Sequence, residues 1–229
     1  MDTISAVSAV SSVSEKSHVR WETQWSEGLH IGDKFDVGKP SPALLKEIAE
    51  GRVPAGTALV PGCGRGYDVY ALAAADRVAT GMELAPTAVE SARAFAGSAD
   101  CTCTALDNAR FQSGNFFDVT DAYDFVYDYT FLCALSPSIR LDWATQMGRV
   151  VKEGGLLMTL IFPINPARPA DEGPPFPVTL ELLEELLLPQ GFEKLQLEML
   201  SSDLCHPGRD GAPGSRIHAA SGIGRWRKL

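Results

Sequence analysis

No apolar run in this 229-residue chain approaches the ~20 residues that span a bilayer, so no membrane partner is expected. Nor is there an excess of basic side chains. Lys and Arg number 20 against 29 Asp and Glu, a net charge of −9, which argues against a surface that neutralises the phosphates of nucleic acid or anionic lipid. No Cys-x-x-Cys pair occurs, and the cysteines, five in all, fit reduced thiols in a cytoplasmic protein. Cys101 and Cys103 stand close together without a neighbouring His, so they read as loop residues and no metal is expected. Histidine is scarce and sits in no catalytic motif; His206 and His218 read as surface residues of a late loop. The first 18 residues lack the basic start and apolar core of a secretory signal, and the first Arg, at position 20, sets them apart from Arg-rich transit peptides. Residues 1–18 read as a disordered tail and residues 19–229 as a single domain, expected to be a monomer.

What the chain does contain is an alternation of short apolar runs and helical patterns, the signature of a parallel sheet covered by helices on both faces. Strands are expected at Ala58–Val60, Val78–Met82, Ala109–Gln112, Phe125–Asp128, Leu156–Phe162 and Lys194–Met199, with a last one from Ile223 to Arg227. Helices are expected over Pro42–Glu50, Tyr67–Ala75, Pro86–Phe95, Pro137–Val151 and Thr179–Leu188, with Gly154-Gly155 closing the fourth. The Pro-rich stretch Pro163–Pro177 and the Gly- and Pro-bearing stretch Ser201–Ser221 read as long loops, with Arg168, Asp171 and Glu172 as solvated charges on the first.

The most telling stretch runs from Ala58 to Asp68, Ala-Leu-Val-Pro-Gly-Cys-Gly-Arg-Gly-Tyr-Asp, followed by Glu83 at the end of the next apolar run. It reads as strand, glycine turn and helix start, then a second strand tipped by a carboxylate. Gly62, Gly64 and Gly66 leave the backbone bare where a ligand lies against it. An acid roughly 20 residues after such a turn accepts the hydroxyls of a ribose. The spacing is Gly-x-Gly-x-Gly rather than the dinucleotide pattern, and no Lys-Ser/Thr follows to suggest a P-loop. It resembles the S-adenosylmethionine (SAM) turn of Rossmann-like methyltransferases.

Other motifs narrow this. They are Trp21-x-x-x-Trp25, Phe35-Asp36-x-Gly38, Gly114-Asn-Phe-Phe-Asp118, Asp128-Tyr-Thr-Phe-Leu-Cys-Ala-Leu135, Phe162-Pro163, Gly173-Pro-Pro-Phe176 and Gly224-Arg-Trp-Arg-Lys228. Together they resemble the thiopurine methyltransferase superfamily, and within it the halide/thiol (thiocyanate) methyltransferases, across residues 20–229. The resemblance implies SAM as methyl donor, with Gly62 and Gly64 at its methionyl part, Glu83 at the ribose, and Asn115 and Phe116 at the adenine. The family usually carries an acid where Asn115 stands, so bonding to the adenine amine is expected through the amide oxygen or the backbone. Tyr129 matches the residue beside sulfonium and acceptor, the catalytic position. Trp21, Trp25 and Phe35 match an aromatic lid; the family has Trp where Phe35 stands, and the spacing here is about three residues longer.

The implied activity is methyl transfer to small anions such as halide, hydrosulfide and thiocyanate, or to small thiols. An anion and a sulfonium lose charge as they react, so a dry aromatic pocket favours the displacement, and an ionised nucleophile requires neither base nor metal. Two alternatives remain at this point: a thiopurine-type enzyme for aromatic thiols, and a SAM-binding protein without turnover.

Overall fold

The computed structural model describes residues 19–206, 209 and 219–229. The tail 1–18 and the part of the late loop that carries His218 lie outside them. A helix covers residues 19–26 (α1). There follow α2 (Pro42–Ala49), β1 (Gly56–Pro61), α3 (Tyr67–Leu72), β2 (Arg77–Glu83), α4 (Pro86–Phe95), β3 (Ala109–Ser113), β4 (Tyr123–Tyr129), α5 (Arg140–Val150), β5 (Val151–Ile164), α6 (Leu180–Leu187), β6 (Phe192–Met199) and β7 (Ala220–Lys228). No described helix is long and apolar enough to cross a membrane.

The strands form one sheet in the order β3-β2-β1-β4-β5-β7-β6. β1 to β5 pair in parallel, while β7 runs antiparallel between β5 and β6. Side chains alternate across a strand, and the core divides accordingly. Leu59, Val126 and Leu157 point to the face covered by α5 and α6, where Trp143, Met147, Leu183 and Leu187 pack. Ala58, Val60, Phe125, Tyr127, Met158 and Leu160 point to the other face, against Leu44 of α2 and Val69 and Leu72 of α3. Helix starts follow the expected chemistry. Ser41 caps α2, its hydroxyl accepting from Leu44 N, and Thr179 caps α6 through Leu182 N.

All the expected strands form, with adjusted ends. Three expectations change. α3 stops at Leu72, because Ala74 and Arg77 exchange backbone bonds that turn the chain into β2. The fourth expected helix opens as a 3₁₀ turn, Pro137–Ile139, capped by the Ser136 hydroxyl, before α5 proper. Gly154-Gly155 does not close that helix. α5 ends at Val150, and the glycines lie within β5, where its pairing with β4 shifts register between Tyr123 and Phe125.

The strand order reverses between β1 and β4, which leaves a crevice at the carboxyl ends of the strands. The glycine turn, Glu83, Asn115 and Tyr129 all follow or end those strands.

Candidate active site

Parallel pairing brings Pro61 of β1 level with Met82 of β2, so the glycine turn begins beside the residue after it, Glu83. Gly62 and Gly64 take φ of 60° and 51°, and a Cβ on Gly62 would stand 2.6 Å from the Phe131 ring. Only glycine serves there. Glu83 is buried, and its carboxylate accepts from Leu84 N (2.7 Å), Gly64 N (3.1 Å) and Ala85 N (3.3 Å). Burial raises its pKa, and those backbone donors oppose the rise. Turn and acid are therefore one hydrogen-bonded unit.

Gly114 N donates to the Glu83 carbonyl (3.0 Å) and sets the next wall. The Asn115 amide oxygen caps a short 3₁₀ turn by accepting from Phe117 N (3.2 Å), so its N–H groups are what stay uncommitted. Phe116 is buried edge-on to Phe131, with centroids 5.2 Å apart. Gln146 of α5 fixes the turn from below, donating to the carbonyls of Phe116 (3.0 Å) and Val119 (2.8 Å).

The N-terminal segment closes over this turn. Trp21 and Trp25 lie one helical turn apart on α1 and meet Phe35 edge-on, at 5.5 Å and 6.0 Å. They also pack on Ala85 and Ala88 at the start of α4, so the pair fastens α1 to the domain while facing the cavity. Two polar latches hold the segment. The Glu22 carboxylate accepts from Thr87 N (3.2 Å) and from the Thr87 hydroxyl, in the first turn of α4. Asp36 accepts from Arg65 Nε (2.7 Å), the Tyr67 hydroxyl (2.7 Å) and Gly38 N (3.1 Å). Arg65 itself, within the glycine turn, donates to the Leu29 carbonyl (2.8 Å) and lies over the Trp25 ring.

At the far end stands Tyr129. Its hydroxyl accepts from Arg209 Nη1 (2.6 Å), its ring stacks on His206 at 5.5 Å, and burial pushes the phenol well above its ordinary pKa. Thr130 follows with φ 60°, a left-handed conformation that costs a residue with a Cβ about 1–2 kcal/mol. The Asp128 carboxylate bears that corner by accepting from Trp143 Nε1 (2.9 Å) and Leu132 N (3.2 Å); burial raises its pKa to about 6. The Gly173-Pro-Pro-Phe loop docks through Phe176 N on the Cys133 carbonyl (2.7 Å) and adds Pro174 and Pro175 to the wall. The thiols of Cys63 and Cys133 line the same space, and burial holds both in the neutral form, Cys133 pushed up to about 12. A neutral thiol is a poor nucleophile, so neither competes with an acceptor.

Asp68 lines the cavity too, one oxygen accepting from Ser41 N (2.8 Å). Burial raises its pKa from 3.8 to about 7, against the pull of Ser41 N and Arg209. A raised carboxylate contributes stability that is full below the unfolded value and lost as pH rises through the folded one. Asp68→Asn is therefore expected to melt a few degrees above wild type at pH 8, the gap closing toward pH 4. Melting curves at pH 4, 6 and 8 measure it; a gap that widens on acidification would refute the assignment.

These walls enclose about 480 Å³, within the usual range for a small-molecule site. A model of the family described as thiopurine S-methyltransferase matches residues 16–220.

The chain belongs to that family.

As a thiopurine S-methyltransferase family member it is an enzyme that methylates sulfur from SAM. Its relatives include "Probable thiol methyltransferase 2" of Arabidopsis thaliana, 37% identical over 94% of this chain and 88% of the relative. "Thiocyanate methyltransferase 1" of Brassica oleracea is 33% identical over 91% of this chain and 84% of its own. Among solved folds, magnesium protoporphyrin IX methyltransferase from Synechocystis PCC 6803 superposes with a TM-score of 0.59 at 16% identity, over 81% of this chain and 76% of that one. That last likeness is one of fold.

In this family member, Trp21, Trp25, Phe35, Gly62, Gly64, Glu83, Asn115, Phe116 and Tyr129 all reach the wall of one cavity. His206 departs from expectation: it is buried, its ring pressed against Tyr129, and burial lowers its pKa to about 3. Of the charges expected to be solvated, Glu172 is exposed, whereas Arg168, its loose ion-pair partner at 3.5 Å, is half-buried. Sequence reasoning missed Asp36 as a latch, Asp68, and above all Arg209. Asp36 carried a signal, its place in the Phe35-Asp36-x-Gly38 motif; Arg209, in a Gly- and Pro-bearing stretch without periodicity, carried none.

Proposed function

We propose that this methyltransferase acts on small, weakly hydrated anions (halide, hydrosulfide, thiocyanate) and on small thiols. The observation that carries the reading is the aromatic lining of the cavity by Trp21, Trp25, Phe35, Phe116 and Tyr129, under a latched lid. The likeness to thiol and thiocyanate methyltransferases supports it.

SAM, when bound, supplies a methyl group on a positively charged sulfur. The cavity fits such a donor: its volume is adequate, Glu83 keeps lone pairs on Oε2 beyond its Gly64 bond, and the bare glycine turn admits a close backbone approach. Gly62 and Gly64 would hold the methionyl part and Glu83 the ribose. Asn115 would offer its uncommitted N–H groups to a ring nitrogen of the adenine, with Phe116 against its face. The aromatic faces would hold positive charge at ~0.5–2 kcal/mol each. Tyr129, kept protonated, would position the acceptor without exchanging a proton with it. Alignment within such walls is worth ~7–11 kcal/mol of a displacement barrier.

Stripping water from an anion costs more as the ion shrinks, since Born energy varies inversely with radius. Iodide is expected to be methylated faster than bromide, and bromide faster than chloride, with sulfur anions at least matching iodide. Trp25→Ala and Phe35→Ala, by admitting water, should each lower kcat on the order of tenfold, ~1.4 kcal/mol. Headspace detection of methyl halides and methanethiol, run beside an aromatic thiol, decides the matter. Methylation of the aromatic thiol alone would replace this reading with the thiopurine-type one.

A further inference from the structure

We infer that Arg209 holds the acceptor as an anion, its guanidinium supplying the counter-charge beside Tyr129 in the cavity. The inference rests on the functional reading above and extends it to the acceptor's own binding residue. Three guanidiniums reach the cavity wall among the described residues. Arg20 is exposed, and Arg65 is neutralised by Asp36 at 2.7 Å. Arg209 is only 6% exposed, and no described carboxylate forms an ion pair with it. Among the described residues, its guanidinium's polar contacts are Nη1 to the Tyr129 hydroxyl (2.6 Å) and a long Nη2 contact to the Phe35 carbonyl (3.4 Å).

Contrast Arg77, equally buried, which hands its N–H groups to the carbonyls of Pro54, Leu72 and Val53. That guanidinium is spent on structure. Arg209 instead lies over the rings of Phe162 (4.7 Å) and Tyr129 (5.4 Å), a bed that holds the cation in place but leaves its charge unmatched. Its backbone is stitched on both sides: Arg209 N donates to the His206 carbonyl (3.0 Å), and its carbonyl accepts from the buried Ser221 hydroxyl of β7 (2.8 Å). So the cation is fixed rather than swinging.

Burying a charge without a partner is costly, and a ligand that brings the partner recovers that cost on binding. A guanidinium is itself weakly hydrated and pairs best with anions of the same character. That matches iodide, thiocyanate and thiolates better than chloride. Asp68, the carboxylate that feels Arg209 across the cavity, is raised to about 7 by burial, so near neutral pH it compensates the cation only in part. A thiol meets Arg209 as its thiolate, its proton having passed to solvent.

Steady-state kinetics of the full chain with iodide, thiocyanate and an aromatic thiolate test this, beside calorimetric SAM affinity and melting curves. Arg209→Met should raise the acceptor KM at least tenfold for every anion, with SAM affinity within twofold of wild type. Arg209→Lys should recover part of that KM. An unchanged acceptor KM, or a parallel loss of SAM affinity, overturns the assignment. Should Arg209→Met not fold, perchlorate, a weakly hydrated anion that accepts no methyl, carries the test. It should inhibit wild type competitively against the acceptor and Arg209→Lys more weakly; any other pattern overturns the assignment. If wild type methylates the aromatic thiolate but no small anion, the small-anion reading fails, and Arg209 is judged on the thiolate KM alone.

Discussion

Asp36→Ala is expected to loosen the N-terminal segment without unfolding the sheet. Asp36 has 1% side-chain exposure and Arg65 13%, so the pair is among the most enclosed charges in the molecule. Removing one partner of a buried pair costs about 3–5 kcal/mol, because the other is left uncompensated. Here the Tyr67 hydroxyl and Gly38 N lose their acceptor as well. The segment has a cheaper escape than global unfolding: residues 19–38 can lift away, letting Arg65 reach water. The expected result is trypsin cleavage after Lys34, SAM affinity weakened at least tenfold, and a Tm that moves only slightly. Asp36→Asn, which retains an acceptor for Tyr67, should fall between the two. Cleavage and affinity equal to wild type would mean that the aromatic contacts alone hold the lid.

Glu83→Ala should weaken SAM binding by roughly 1–3 kcal/mol, the worth of hydrogen bonds to a charged group. A second loss comes from the protein itself, since the N–H groups of Gly64, Leu84 and Ala85 are left without their acceptor. Glu83→Gln separates the two. Its carbonyl oxygen can still serve Leu84 and Ala85, while its amide N–H groups face that of Gly64 donor to donor. Stability should therefore return largely in Glu83→Gln, whereas SAM affinity should not. Calorimetry for affinity and thermal melts for stability give both readings. Wild-type affinity in Glu83→Ala would mean that the ribose lies elsewhere.

Strands were the legible part of this fold. The central strands β1, β4 and β5 carry apolar runs, as burial in a parallel sheet demands, whereas the edge strands β3 and β6 mix polar and apolar residues. Helix ends were less so. Tyr67–Ala75 continues a helical pattern on paper, but the Ala74–Arg77 bridge wins because β2 must begin close by. Gly154-Gly155 looks like a helix stop and serves a register shift in β5 instead, a difference that depends on a partner strand no local pattern reveals. At the site, glycine turn and acid were readable because strand register brings them together at a fixed sequence distance. Arg209 was not. Its contacts with Tyr129 and Phe35 span 80 and 174 residues, and no local periodicity encodes contacts at that range. His206 was misread for the same reason, a polar side chain in a Gly/Pro-rich loop whose burial follows from what Tyr129 offers it.

The tryptophans divide evenly between two environments, and this gives the enzyme built-in reporters. Trp143 and Trp226 are fully buried on the α5–α6 face, their indole N–H groups bonded to Asp128 and Thr159. Trp21 and Trp25 border the cavity. Fluorescence thus carries two separable signals from an unlabelled chain: emission that a ligand can perturb comes from the lid pair, and emission that changes only on denaturation comes from the core pair. Iodide, a collisional quencher, doubles as a probe of which tryptophans solvent reaches.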